Sequence, residues 1–225
     1  MRFAGFQKTS LIDYPGKVAS VLFTSGCNLR CPYCHNGELI EGHKGRFFEE
    51  EEILRELVER RKYIDAVVVT GGEPTINEDL PEFLEKLSEH GFHVKLDTNG
   101  LRPMVLRKCL SYINYIAMDV KTSLDKYGEL GETDTSPMIE SIEMIKNCGV
   151  DYEFRCTAVP GFVETNTVKK MGELVEGASL FVFQQYRKEK TYDASYANVD
   201  PYNEDKIRMF AQIMKPYVSR VSLRI

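Results

Sequence analysis

Short apolar runs and amphipathic segments alternate along the chain from end to end. The runs at 17–23, 66–70, 93–98, 113–120, 152–159 and 180–185 are rich in Val, Ile, Phe and Tyr, and most are nearly unbroken by polar residues. That pattern predicts parallel strands covered on both faces, because a strand with one wet face would alternate. Between the runs, apolar residues recur at helical spacing. Over 47–62, Glu49, Glu50, Glu51 and Glu52 open the segment and Arg60, Arg61 and Lys62 close it, the order a helix dipole favours. Asn77 is placed to cap a helix carrying Phe83, Leu84 and Leu87 that stops at Gly91. Ser136 and Pro137 open another, carrying Ile139, Ile142 and Ile145 and stopping at Gly149. Asp200 and Pro201 open the last, which Pro216 ends, and Val221, Leu223 and Ile225 then alternate with polar neighbours as a short final strand.

This succession of strand and helix reads as an α/β chain of six βα units. No linker, low-complexity tract or internal repeat divides it, so one domain over 1–225 is expected, with its core from about residue 15 and an N-terminal extension over 1–14. Six units are too few for a closed eight-stranded barrel and enough for an incomplete, TIM-like (β/α)6 one. A doubly wound open sheet is the alternative. Both place ligands at the carboxyl ends of the strands.

At 225 residues, 43% of them hydrophobic, the chain can bury a full core without disulfide or metal staples, so a metal here is expected to be functional. The net charge is −5 and no basic stripe stands out, which removes nucleic acid from the expected partners. No run approaches the roughly 18 apolar residues of a membrane span, and residues 1–20 lack the apolar stretch of a secretion signal. A cytoplasmic protein without membrane contact is expected, its six cysteines free thiols.

Cys27, Cys31 and Cys34 fall together on a long loop, 24–46, directly after the first strand. Gaps of three and two residues let the backbone curl around one metal centre and aim its N–H groups at the sulfurs, which fits an iron–sulfur cluster with one coordination position left open. A structural zinc site completed by His35 or His43 is the competing reading. The second strand runs into Gly71-Gly72-Glu73-Pro74-Thr75. Two glycines allow close approach of a ligand to the backbone, and the carbonyl and carboxylate of Glu73 can accept from an ammonium group; an ordinary turn explains the motif equally well. Leu96-Asp97-Thr98-Asn99-Gly100 ends the third strand, and a turn accounts for all of it but Asp97. Asp119 and Lys121, two apart on the fourth strand, point to one side, and Arg155 lies in the fifth; charges inside apolar strands mean ion pairs or a polar ligand. Each group falls on or just after the carboxyl end of a different predicted strand, so folding would gather them in one bowl. Cys109, Cys148 and Cys156 are scattered and read as core packing.

At these residues the chain resembles the radical S-adenosylmethionine superfamily, whose mark is Cys-x-x-x-Cys-x-aromatic-Cys followed one strand later by Gly-Gly-Glu. It is similar, more narrowly, to the glycyl-radical-enzyme activating proteins, above all those of anaerobic ribonucleoside-triphosphate reductase. Ile12-Asp13-Tyr14-Pro15-Gly16, His35-Asn36, Asp97-Thr98-Asn99-Gly100 and Asp119-Val120-Lys121 carry that likeness over nearly the whole chain. The resemblance implies an incomplete barrel holding a 4Fe-4S cluster on Cys27, Cys31 and Cys34, with S-adenosylmethionine on the fourth iron. It also implies that Gly71, Gly72 and Glu73 take the methionine amino group, while Tyr33, with His35 and Asn36 just after the last cysteine, borders the adenine. Asp97, Asp119 and Lys121 would line the methionine carboxylate and ribose, with a monovalent cation near the two aspartates; Arg155, read from its strand, joins them as a cofactor-binding candidate. The implied activity is abstraction of a glycine hydrogen in a partner glycyl radical enzyme, expected to be anaerobic ribonucleoside-triphosphate reductase, with a one-electron donor such as flavodoxin or ferredoxin. A radical enzyme acting on its own small molecule and a non-catalytic zinc protein are the alternatives. Replacing Glu73 by Ala is expected to weaken cofactor binding more than it destabilises the fold.

Overall fold

The computed structural model describes residues 1–225. In chain order the strands are β1 (Arg2–Phe3), β2 (Gly5–Ser10), β3 (Ala19–Thr24), β4 (Phe48–Glu49), β5 (Ala66–Gly71), β6 (His93–Thr98), β7 (Tyr115–Asp119), β8 (Asp151–Ala158), β9 (Phe181–Gln185) and β10 (Val221–Arg224). The helices are α1 (Gly37–Ile40), α2 (Glu50–Glu59), α3 (Leu80–Glu89), α4 (Pro103–Cys109), α5 (Ser136–Asn147), α6 (Thr165–Leu174) and α7 (Glu204–Met214). An eight-stranded sheet runs β10-β9-β8-β7-β6-β5-β3-β2. From β3 to β10 every neighbouring pair is parallel, and β2 closes the series antiparallel to β3. The parallel strands succeed one another across the sheet in the order of the chain, with a helix in each crossover. A doubly wound sheet reverses that order at a switch point; none exists here, and β2 and β10 do not pair with each other, so the fold is an incomplete barrel of the TIM-like kind.

The two faces of the parallel strands differ. Leu22, Val67, Val69, Val94, Leu96, Ile116, Met118, Phe154, Phe181 and Phe183 point toward the helices and join Leu57, Phe83, Leu106, Ile142, Met171 and Phe210 in a core of 47 buried residues. The alternate positions line the inside. On β3 and β5 these are Ala19, Val21, Ala66 and Val68, sealed by Tyr14 from the segment before β3. Tyr14 is 5% exposed and its ring lies 6.0 Å from that of Tyr115. On β6, β7 and β8 the inward residues include Tyr115 and the charged Lys95, Asp97, Asp119, Glu153 and Arg155. The expected runs are therefore apolar on the helix side and charged on half of the interior.

Several boundaries differ from the sequence reading, for local reasons. Asn77 does not cap α3: its side-chain amide donates to Pro74 O and the helix starts after Asp79. Asn203, not Asp200, caps α7, accepting from Lys206 N–H at 2.9 Å. Residues 48–49 of the expected 47–62 helix instead pair with β1, and Arg60 to Lys62 fall beyond its end. β2 has no apolar run to announce it, since as an edge strand its middle is exposed. Helices α4 and α6 are additions to the predicted set.

Candidate functional site

The cysteine loop is held by its first residues. Gly26 N–H donates to Leu39 O at 2.7 Å and Cys27 N–H to Ile40 O at 3.2 Å, folding α1 back over the loop. Leu29 is fully buried and anchors the turn between the first two cysteines. Leu29 N–H points at Cys27 Sγ, 3.4 Å away, as the spacing anticipates. Cys31 is buried and Cys27 and Cys34 are half-buried. Burial raises the pKa of all three thiols, that of Cys27 to about 11, and the Lys121 ammonium opposes the rise at each. Such a thiol gives its proton up to a metal far more readily than to water.

The glycine pair serves a purpose the sequence did not disclose. Gly71 has φ +121°, and a Cβ there would lie 2.3 Å from Thr24 N; one on Gly72 would lie 1.9 Å from Gly26 O. The two residues are glycine because the start of the cysteine loop crosses directly over them. Gly72 N–H donates to Thr24 O at 3.0 Å and Glu73 N–H to Gly26 O at 2.8 Å across that crossing. Close approach is thus to the chain's own backbone.

Glu73 is 1% exposed, and its carboxylate is largely committed. Oε1 accepts from Thr75 N–H (3.1 Å), Thr75 Oγ1 (2.5 Å) and Thr98 Oγ1 (2.7 Å), and Oε2 accepts from Asn99 N–H (2.7 Å). Of roughly four lone-pair directions on a carboxylate, one on Oε2 remains free. Glu73 therefore joins the end of β5 to the end of β6. Thr75 and Thr98, unremarked in the sequence except as turn residues, are what hold it.

Deeper in the barrel the charges form a chain. Lys95 Nζ lies 2.6 Å from Asp97 Oδ1, Asp97 Oδ2 lies 3.0 Å from Arg155 Nη2, Arg155 Nε lies 2.5 Å from Asp119 Oδ1, and Asp119 Oδ2 lies 3.0 Å from Lys121 Nζ. Burial works against ionisation of both aspartates, yet Arg155 with Lys95 or Lys121 outweighs it and holds both carboxyls below the usual range. The Arg155 guanidinium bridges the two carboxylates near which the resemblance places a monovalent cation. Below this chain Glu153, fully buried, takes a bidentate pair from Arg224 of β10 at 2.8 and 2.6 Å and a hydrogen bond from Tyr115 at 3.1 Å.

Every residue expected from the sequence to hold the cluster or border the cofactor lines one cavity of about 380 Å³ at the carboxyl ends of the strands. Thr98, Asn99, Gln184, Gln185 and Arg187 are among the further residues of its wall. Tyr33 is 7% exposed and turns its ring toward Phe162, 5.2 Å between centroids. His35 Nε2 meets Arg187 O at 2.6 Å and His43 Nε2 meets Arg46 O at 3.2 Å. Each imidazole thus has one nitrogen engaged with a backbone carbonyl, and no three His, Cys, Asp or Glu groups are gathered as around a single metal ion. A cluster makes a different demand, each thiolate binding its own iron, and three loop cysteines on one cavity wall with a backbone N–H and an ammonium beside them suit it.

An incomplete barrel with a three-cysteine loop and a charged cavity at its carboxyl rim defines an iron–sulfur enzyme. Residues 21–175 match the family described as the Radical SAM superfamily, and the chain belongs to that superfamily. A Methanocaldococcus jannaschii protein assigned as a glycyl-radical enzyme activating enzyme is 34% identical over 98% of this chain and 95% of its own length. The pyruvate formate-lyase 1-activating enzyme of Escherichia coli K12 is 26% identical over 84% of this chain and 83% of its own. Among solved structures, Streptococcus suis SuiB bound to precursor peptide SuiA superposes with a TM-score of 0.69 at 14% identity, over 91% of this chain and 48% of that one, a likeness of fold alone. The chain thus spans about half of that structure. As a radical SAM enzyme it works with a 4Fe-4S cluster and S-adenosylmethionine. No helix is long and apolar enough to cross a membrane.

Proposed function

We propose that this chain activates a glycyl radical enzyme by taking one hydrogen atom from the α-carbon of a glycine in that partner. The observation that carries the reading is the meeting of the three cysteines, the Gly71 to Glu73 turn and the Asp97, Asp119, Lys121 and Arg155 charges on one cavity wall. The similarity to proteins named as activating enzymes, along nearly the whole chain, directs the chemistry toward a protein substrate.

Cys27, Cys31 and Cys34 would hold the cluster. The backbone at Gly71 to Glu73, with the free lone pair of Glu73 Oε2, would receive the methionine ammonium. Lys121 and Arg155 carry the positive charge suited to the methionine carboxylate, and Asp97 and Asp119 hold those cations in place. Tyr33, buried and packed on Phe162, would border the adenine together with the backbone at His35 and Asn36. When bound, the cofactor pair supplies one-electron reductive cleavage of the sulfonium and hydrogen-atom abstraction; the chain supplies orientation and a walled site. The finer reading makes the partner anaerobic ribonucleoside-triphosphate reductase and the electron donor a flavodoxin or ferredoxin.

The test is anaerobic incubation of reconstituted protein, reductant and S-adenosylmethionine with a panel of glycyl radical enzymes that includes anaerobic ribonucleotide reductase and pyruvate formate-lyase. A glycine-centred doublet by electron paramagnetic resonance on one panel member is expected. Cofactor cleavage with no such signal on any member would select an enzyme acting on its own small molecule.

A further inference from the structure

The cysteine loop and the Glu73 rim come from different parts of the chain, and one side-chain pair joins them. Asn99 Nδ2 donates to Asn28 Oδ1 at 2.8 Å, across 71 residues of sequence. Asn28 follows the first cysteine directly, and Asn99 follows Thr98, which binds Glu73. The orientation of the Asn99 amide is dictated by its other partner, since its Oδ1 accepts from Leu101 N–H at 3.1 Å. Its nitrogen must then face Asn28. Asn99 is 4% exposed, and its own N–H is held by Glu73 Oε2 at 2.7 Å. Its N–H, side-chain oxygen and side-chain nitrogen are all engaged, the first with the Gly-Gly-Glu turn and the last with the cysteine loop.

From Cys27 to Cys34, no other side chain hydrogen-bonds to a strand end. Arg30 donates back to Cys27 O and Leu29 O within the loop. The remaining ties out of this span are backbone bonds, from Cys27 N–H to Ile40 O at the end of α1, from Arg30 N–H to Leu130 O and from Asp193 N–H to Pro32 O, none of them to a strand end. The backbone bonds from Gly72 N–H to Thr24 O and from Glu73 N–H to Gly26 O fix where the loop begins, and beyond Gly26 the Asn28–Asn99 bond is the one side-chain tie that registers the Cys27 limb against the rim at Glu73.

We infer that Asn99 is a positioning residue: through Asn28 it sets the cysteine loop and the Gly71 to Glu73 turn at a fixed separation, so that the two halves of the cofactor site act as one rigid unit. This rests on the reading that S-adenosylmethionine lies between those halves. Its loss leaves the three sulfurs in place and loosens the distance a ligand must span, which lowers affinity rather than cluster content.

The experiment uses the full chain with its cluster reconstituted anaerobically, as wild type, Asn28→Ala, Asn99→Ala and the double variant. Iron and sulfide content are measured, and S-adenosylmethionine is titrated while the spectrum of the reduced cluster is followed by electron paramagnetic resonance. Wild-type iron content is expected in all four, with dissociation constants about 10-fold weaker in each single variant, the loss of one buried hydrogen bond with its strain, and no weaker in the double. Asn28→Asp, which keeps an acceptor for Asn99, is expected within about 3-fold of wild type. Asn28 is half-buried on a loop, so Asn28→Ala reports even if Asn99→Ala misfolds. A lowered melting temperature with unchanged affinity, or losses that add in the double variant, would overturn the positioning role. Absence of cofactor binding by the wild type would instead overturn the functional reading beneath it.

Discussion

Replacing Glu73 by Gln changes one atom and reverses one hydrogen bond. With its oxygen at the Oε1 position the new amide still accepts from Thr75 N–H, Thr75 Oγ1 and Thr98 Oγ1, but its nitrogen then faces Asn99 N–H, where the carboxylate oxygen stood 2.7 Å away. Two donors cannot share that contact. Leaving one buried donor unpaired costs about 1–3 kcal/mol, and the three surviving bonds lose their charge-assisted strength. Part of this is returned because burial, which raises the Glu73 pKa, no longer has a charge to oppose. The net expectation is about 2–3 kcal/mol, or roughly a 5–10 °C fall in melting temperature for a chain of this size. Thr98→Val removes the bond to Glu73 and the acceptor of the buried Gly100 N–H, and should cost about 2 kcal/mol. The assay is urea unfolding of the metal-free protein under reductant at neutral pH, where no cofactor can contribute. A Glu73→Gln variant within about 0.5 kcal/mol of wild type, the scatter of an ordinary surface substitution, would refute the assignment of Glu73 as the clasp between β5 and β6. It would return the residue to a purely ligand-facing role.

Three further outcomes follow from the same geometry. Replacing Cys27, Cys31 or Cys34 by Ser should each abolish S-adenosylmethionine cleavage, while Cys109→Ser, fully buried at the end of α4, should leave it largely intact; equal loss in all four would contradict the division of the cysteines. Arg155 keeps the Asp97 and Asp119 carboxyls depressed against the effect of burial, so their contribution to stability is complete above the unfolded value of about pH 4 and is lost as pH falls below it. Acid unfolding of Arg155→Met, followed by circular dichroism, should therefore begin at higher pH than in the wild type. Arg224→Ala leaves Glu153 buried with only Tyr115 as donor, and should cost about 3 kcal/mol in urea unfolding, most of which Glu153→Gln in the same chain should restore.

The elements that set the fold were legible because each is long and apolar toward the helices. Residues 66–70 and 93–98 announce β5 and β6 on their own, and the steady alternation of strand and helix excludes most other architectures. β2 was hidden because an edge strand needs no apolar run, and its half-exposed Gly-Phe-Gln-Lys-Thr-Ser carries none. The site's membership was legible for a different reason: chemistry collects at the carboxyl ends of parallel strands, so position along each predicted strand stands in for position in space. What one residue does once there was less readable. Gly71 and Gly72 look like room for a ligand, and only the crossing of Thr24 and Gly26 above them reveals the steric demand they meet. Thr98 and Asn99 look like a turn, since the partners that give them a second task lie 25 and 71 residues away. Lys95 lies in an apolar run and gives no sign that it ends a chain of alternating charges.

The central claim is tested most directly by one reaction: reconstituted protein, dithionite and S-adenosylmethionine, without oxygen, analysed for 5'-deoxyadenosine. Formation of that product, absent when any one of Cys27, Cys31 and Cys34 is replaced, is the predicted result. Full cluster content with no 5'-deoxyadenosine under any reductant would contradict the claim that these groups form one cofactor site.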